Sequence, residues 1–483
     1  MSLRKQAASG FAWTFAHQFG HNIIGFFVSL ILARILLPAE FGLIGMISIL
    51  IGLGRVLVHS GMTQSLIRTE DVDEEDFSTV FFLNLAVSVV VYFLAYFTAP
   101  LVAEFFNQPI LVSIIRIYCL SYILTAFSAV QFARLTKNLK FKVQTLIELP
   151  ANVVGGGVGI YMAYSGYGVY SLVWSQIVIY FVSTVLVWFY SGWTPKWVVN
   201  IEKLKFHFNF GYKLALSDSL EIIFNNSYIL IIGKFFSPSQ VGFYTRAETM
   251  KQLPVTNISR ALNKVTYPLF STIQNDNIRL KRVNKQLMQV VTFTIAPILI
   301  FLAVLAEPVF RFLFTEKWLP AVPYFQILCI TGILRPIQTY NLNILNIKGR
   351  SDLYLKLKVY EKIIIVVSLI IGFQYGIYGI LFSQVVVSVI VFFLNAYYTD
   401  KFIDFSPWEQ LKAIIPIITL ASICGGLLFL FDMWLEPEFD IVRILSGGIF
   451  GVIIYVLSSW LLKMKSFIHF RSLTLSYMGN DRG

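Results

Sequence analysis

The chain is built from long apolar blocks that exclude charge. Residues 81–97, 290–305 and 363–371 contain no Asp, Glu, Lys or Arg. A segment that crosses about 30 Å of hydrocarbon needs about 20 mostly apolar residues, and blocks of this kind recur along the whole length. The chain is 57% hydrophobic and 13% charged, about half the charge of a soluble domain. The pattern predicts an all-α polytopic membrane protein with about fourteen transmembrane helices, near 10–34, 41–65, 79–100, 110–133, 144–164, 167–189, 208–233, 240–268, 287–308, 320–345, 357–373, 376–398, 411–432 and 442–462. No connection is long enough to hold a soluble domain.

A net charge of +12 would suggest nucleic acid in a soluble protein. Here the bases sort by side. With the N-terminus cytoplasmic, about 24 Lys and Arg fall in cytoplasmic segments, including Arg134, Lys137, Lys140, Lys142, Arg279, Lys281, Arg282 and Lys285. Only Arg34, Lys234, Arg311, Lys317 and Arg443 fall opposite. That is the positive-inside bias, so the charge sets topology, both termini are placed inside, and no nucleic-acid partner is expected. Cys119, Cys329 and Cys424 are far apart and lie in apolar segments, as packing residues do. The opening MSLRKQAASGFAW leads into a helix too long and polar for a cleaved signal.

The sequence repeats internally. RILLPAEFGLI (34–44) and KFFSPSQVGFY (234–244) align Arg34 with Lys234, Pro38 with Pro238 and Gly42 with Gly242, at an offset of 200. YGVYSLVWSQIV (167–178) matches YGIYGILFSQVV (375–386), with Gly168 opposite Gly376 and Ser175 opposite Ser383. A unit of six helices keeps both copies in one orientation, related by a pseudo-twofold along the membrane normal, as in parallel-repeat transporters. The expected division is a six-helix bundle over 1–200, a second over 201–402, and two extra helices with a cytoplasmic tail over 403–483. Each Pro-x-x-x-Gly turn should end one helix and start the next.

The stretches SGFAW…ILARILLPAEFGLIGM and YILIIGKFFSPSQVGFYTRAETMKQLP resemble the Wzx-type polysaccharide and O-antigen flippases of the multidrug/oligosaccharidyl-lipid/polysaccharide superfamily, most of all the colanic-acid-exporter-like branch. The resemblance covers essentially the whole chain. It implies two bundles facing a central cavity in a bacterial inner membrane. It implies carriage of undecaprenyl-pyrophosphate-linked oligosaccharide from the cytoplasmic to the periplasmic leaflet by alternating access, for exopolysaccharide or lipopolysaccharide synthesis. A polysaccharide polymerase and a chain-length regulator would be its neighbours.

Charge inside membrane helices points to the residues that would do this. A charged side chain at a helix centre costs about 2.5–3.5 kcal/mol or more unless it meets water or a partner. At 100° per residue Arg246, Asn257, Arg260 and Lys264 share one helix face. Asp218, Glu221 and Asn225 share another. Arg335 lies deep in the tenth span, Arg55 and His59 in the second, His17 and His21 in the first, Arg116 in the fourth and Glu148 in the fifth. Arginine suits phosphate because its planar fork pairs two oxygens and stays charged. Arg335, Arg246, Arg260, Lys264, Asn257, Arg55, His59 and Arg116 are therefore the expected substrate-binding residues. Bland alternatives stand beside them: Arg260 and Lys264 snorkelling to lipid phosphate, Arg246 in a structural ion pair, His17 and His21 bonded within the bundle. Asp218, Glu221 and Glu148 are candidates to bind a coupling proton or Na⁺, or else to pair with Arg or Lys. Gly155–Gly157 lies in an apolar run and reads as a close helix contact or a bend.

No nucleotide, zinc-protease or serine-hydrolase motif is present. The chain is therefore expected to be no enzyme, with no cofactor and no metal, and to draw energy from an ion gradient or from product removal. Two rivals remain. A multidrug-type cation antiporter of the same superfamily would favour acidic cavities. A membrane glycosyltransferase or polymerase acting on lipid-linked sugars would need a larger external loop.

Overall fold

The computed structural model describes residues 3–59, 61–435 and 439–470, with backbone alone for 3–18, 59, 261–265, 267 and 268. The described residues form helices and no strands. That suits hydrocarbon, where each backbone N–H and C=O must find its partner within its own segment. The helices are α1 (Leu3–Ile35), α2 (Pro38–Met46), α3 (Ser48–His59), α4 (Met62–Arg68), α5 (Glu74–Phe106), α6 (Leu111–Tyr118), α7 (Leu120–Lys137), α8 (Phe141–Tyr164), α9 (Tyr170–Ser191), α10 (Ile201–Asn225), α11 (Ser227–Phe235), α12 (Pro238–Thr272), α13 (Asn277–Val304), α14 (Ala306–Phe314), α15 (Val322–Ile347), α16 (Ser351–Phe373), α17 (Gly376–Ile403), α18 (Pro407–Trp434) and α19 (Asp440–Leu461).

Nine of the described helical segments are long and apolar enough to cross a membrane, and the bent pair α2–α3 makes a tenth. The second span, expected as one helix over 41–65, is instead three short helices with a 44° bend between the first two.

The chain divides into two compact units, Met1–Gly242 and Phe243–Gly483. In the first, α8 packs along α9 and α1, α7 along α5 and α9, and α10 lies on α3 and α4. In the second, α17 packs on α15 and α16, and α13 on α15 and α18.

The repeated motifs are turns and contacts. Pro38 and Pro238 open α2 and α12, where a missing N–H is harmless and a fixed φ helps. Gly42 and Gly242 sit at the first unit's closest approach: a Cβ on Gly42 would lie 1.7 Å from the Pro238 carbonyl oxygen, and one on Gly242 2.0 Å from that of Pro38. In the second motif Gly168 and Gly376 have φ of +56° and +69°, the left-handed conformation at the entry to α9 and α17 that glycine adopts without strain. Two turns on, Ser175 and Ser383 press against Gly159 and Gly372 of the preceding helix. Gly155 meets the Ser175 carbonyl of α9 and Gly156 meets Val28 of α1, the close contact expected of that run.

Candidate functional site

The expected cationic residues divide into those held by aromatic rings and those left exposed. Arg246 is buried, its guanidinium 4.9 Å from the Phe314 ring centre and 5.1 Å from that of Trp318. Cation–π contact of this kind stabilises a desolvated arginine. Arg116 lies 4.1 Å over the Tyr96 ring, and its Nε donates to the Tyr96 carbonyl at 3.4 Å. Arg55 is exposed, and its Nη2 donates to the Tyr180 hydroxyl at 2.6 Å.

Arg335 differs. It is exposed near the middle of α15, within a segment apolar enough to span. Among the described residues its guanidinium makes no hydrogen bond and no ion pair. Asn257 and Arg260 are likewise exposed on α12. The α12 helix has 35 residues, about 52 Å at 1.5 Å per residue, longer than the hydrocarbon layer. His59, Lys264 and His17 have side chains outside the described residues.

Asp218 and Glu221 are exposed on α10 and form no ion pair or hydrogen bond among the described residues. Their helix touches α3 and α4 through a narrow seam of small residues. Gly211 meets Met62 and Gly61, and Ile222 meets Gly52. Glu148 is half-buried on α8.

Two clusters escaped the sequence reading. In the second unit, Lys251 on α12 is 5% exposed. Its ammonium lies 2.7 Å from Glu248 and 3.4 Å from the Thr331 hydroxyl on α15. Gln252 donates to the other Glu248 oxygen at 2.9 Å, and Thr256 donates to Gln252 at 3.0 Å. The helices cross at Gly332, where a Cβ would stand 3.3 Å from Lys251 Cγ and 3.2 Å from Val255. Thr331 and Arg335 are one turn apart on α15. The signal for this cluster was Glu-x-x-Lys-Gln, spacings of three and four. It turns away from the Arg246 stripe, so following that stripe passed it by.

In the first unit, His207 is 1% exposed. Its Nε2 lies 3.1 Å from Asp76 and its Nδ1 2.8 Å from the Ser65 hydroxyl. Lys203 lies 2.5 Å from Asp73 and 3.3 Å from Asp76. The Lys203 ammonium, and then the Asp76 N–H, hold the Asp73 carboxyl well below the usual carboxylate range. Backbone N–H groups of Lys196 and Asn200 donate to Ser78 and Thr79, each at 3.0 Å. The start of α10 is thus strapped to the first turn of α5.

Cys119, Cys329 and Cys424 are buried free thiols.

Comparison with known proteins gives this geometry a context. The profile of the family described as "Polysaccharide biosynthesis protein" matches residues 31–323. The chain is 26% identical over 354 residues to the teichuronic acid biosynthesis protein TuaB of Bacillus subtilis (strain 168), covering 73% of each. It is 24% identical over 417 residues to the lipopolysaccharide biosynthesis protein WzxC of Escherichia coli (strain K12), covering 85% of this chain and 84% of that one. Among solved structures, the lipid II flippase MurJ in an inward closed conformation superposes with a TM-score of 0.74 over 94% of this chain and 99% of that one, at 16% identity. This multi-pass all-α membrane protein is a transporter that belongs to the polysaccharide biosynthesis protein family, the Wzx-type polysaccharide flippases.

Proposed function

We propose that the chain carries an undecaprenyl-pyrophosphate-linked oligosaccharide from the cytoplasmic to the periplasmic leaflet of a bacterial inner membrane by alternating access, with both termini cytoplasmic. The observation that carries this reading is Arg335: an exposed guanidinium, mid-span, with no hydrogen bond or ion pair among the described residues. Facing lipid, it would cost about 2.5–3.5 kcal/mol or more. Facing water, it supplies a two-pronged donor for phosphate oxygens. The pyrophosphate would bind there, with Arg260 and Asn257 on α12 contributing to the same polar path, while the lipid tail stays in the bilayer.

Among the described residues, ten spans are apolar enough by composition when the bent pair α2–α3 is taken as one. We assign the four more polar segments, α1, α10–α11, α12 and α16, as further spans. That makes fourteen, in repeats over 1–200 and 201–402 followed by 403–483. Asp218 and Glu221 are assigned to a coupling H⁺ or Na⁺, since an unpaired carboxylate in a span is as costly as an unpaired arginine. A multidrug antiporter would carry cations, which exposed Arg260 and Arg335 would repel. A polymerase would make new glycosidic bonds.

The test uses the purified chain in liposomes with a labelled lipid-linked oligosaccharide. The label should reach the opposite leaflet with no product of higher mass. Arg335→Ala and Arg260→Ala should each reduce that transfer by tenfold or more, with insertion and abundance unchanged. Normal transfer by both variants, or a heavier product, would refute the assignment.

A further inference from the structure

The exposed Arg335 stands beside a buried ion pair that none of the expected site residues include. Glu248 and Lys251 are an i, i+3 pair on α12, and the ammonium also reaches Thr331, one turn before Arg335 on the crossing helix. Gln252 holds the second Glu248 oxygen, so both carboxylate oxygens are occupied on the side of α12 that meets Gly332. Two cations and one anion therefore lie along the crossing of α12 and α15, a local formal charge of about +1. Burying Lys251 without Glu248 would be severely unfavourable, which explains the pair. Arg335 follows Thr331 by one turn on the same helix, which brings a second cation to the flank of that pair.

We propose that Glu248 is the built-in counter-ion of the anion site, setting how tightly Arg335 and Lys251 hold the phosphate of the cargo. This rests on the assignment of Arg335 to the pyrophosphate and deepens it. In the empty carrier Glu248 neutralises Lys251 and moderates Arg335. When a phosphate arrives, it competes with Glu248 for the same two cations. Because the carboxylate is always present, it offers them a return partner, and the phosphate can leave. A carrier needs that release, since cargo bound with excess affinity stalls the cycle. Thr331 and Gln252 position the two partners, and Glu248 is a positioning residue through its charge.

The test is calorimetric titration of the full-length chain in nanodiscs with farnesyl pyrophosphate, using farnesol as the uncharged control. Wild type should bind the pyrophosphate and not the alcohol, and Arg335→Gln should lose that difference. Glu248→Gln should bind roughly tenfold tighter, because one opposing charge is gone. In the flipping assay it should lower KM while also lowering kcat. Lys251→Met leaves Glu248 facing Arg335 alone and should bind roughly tenfold more weakly. It serves as the deciding variant if Glu248→Gln is unstable in a thermal melt. Loss of binding in Arg335→Gln with Glu248→Gln unchanged or weaker would overturn the counter-ion role and leave the phosphate site standing. Tighter binding by Lys251→Met would overturn it as well. Failure of wild type to prefer the pyrophosphate would overturn both readings.

Discussion

At the scale of single residues, what surrounds a charge decides its part. Arg246, Arg116 and Arg335 are the same residue type in membrane helices, yet two rest on aromatic faces and one is left open. The sequence marks all three as costly and cannot rank them, because the rings that settle two of them come from other helices. Asp73 offers a test of local charge. It caps α5 and pairs with Lys203. Asp73→Asn keeps a good N-cap and removes only the charge. The pairing stabilises the fold above the ordinary carboxylate pKa of about 3.9 and is lost as pH falls through the lower folded value. The variant should therefore melt slightly lower at pH 7, by less than about 1 kcal/mol for so exposed a pair. The gap should persist at pH 5 and close only on acidification well below pH 4. A melting series at four pH values checks this, and a gap that closes above pH 5 contradicts it.

At the scale of elements, the features legible in the sequence are those governed by local chemistry. Pro38 and Pro238 open helices, and Gly168 and Gly376 turn the chain, because a fixed φ or a positive φ is a property of the residue itself. The break of the second span was not legible, because the bend after Met46 falls among apolar residues that suit a continuous helix. The Glu248–Lys251 pair was passed over because it needs α15 to give it meaning, and the His207 contact because its partners lie more than 130 residues away. The crossing of α2 with the start of α12 carries its own prediction. Gly42→Ala places a methyl well inside the contact radius of the Pro238 backbone. Backbone cannot rotate aside as a side chain does, so a loss of about 1–3 kcal/mol or more is expected. Gly157→Ala, with nothing within 4 Å of the added carbon, should be neutral. Thermal stability in detergent separates the two, and equal melting points would refute the crossing.

At the scale of the whole molecule, ion coupling is the property that no single helix reveals. If Asp218 binds the driving ion, Asp218→Asn should flatten the dependence of transfer on pH or Na⁺ in liposomes, with cargo binding retained. An unchanged dependence would return that carboxylate to a purely structural part. Sequence duplication and physical packing also divide this chain at different places. The repeat expected from the sequence begins again near residue 201, while the compact unit runs to Gly242. His207, Gly211 and Ile222 lie against Ser65, Asp76, Met62 and Gly52. A fragment ended at residue 200 would leave Ser65 and Asp76 without their partner and Met62 and Gly52 uncovered. One carried through to residue 242 would keep its own lid. Anyone splitting the protein into two co-expressed pieces should therefore find the later cut tolerated and the earlier one prone to clumping, although the earlier one respects the repeat expected from the sequence.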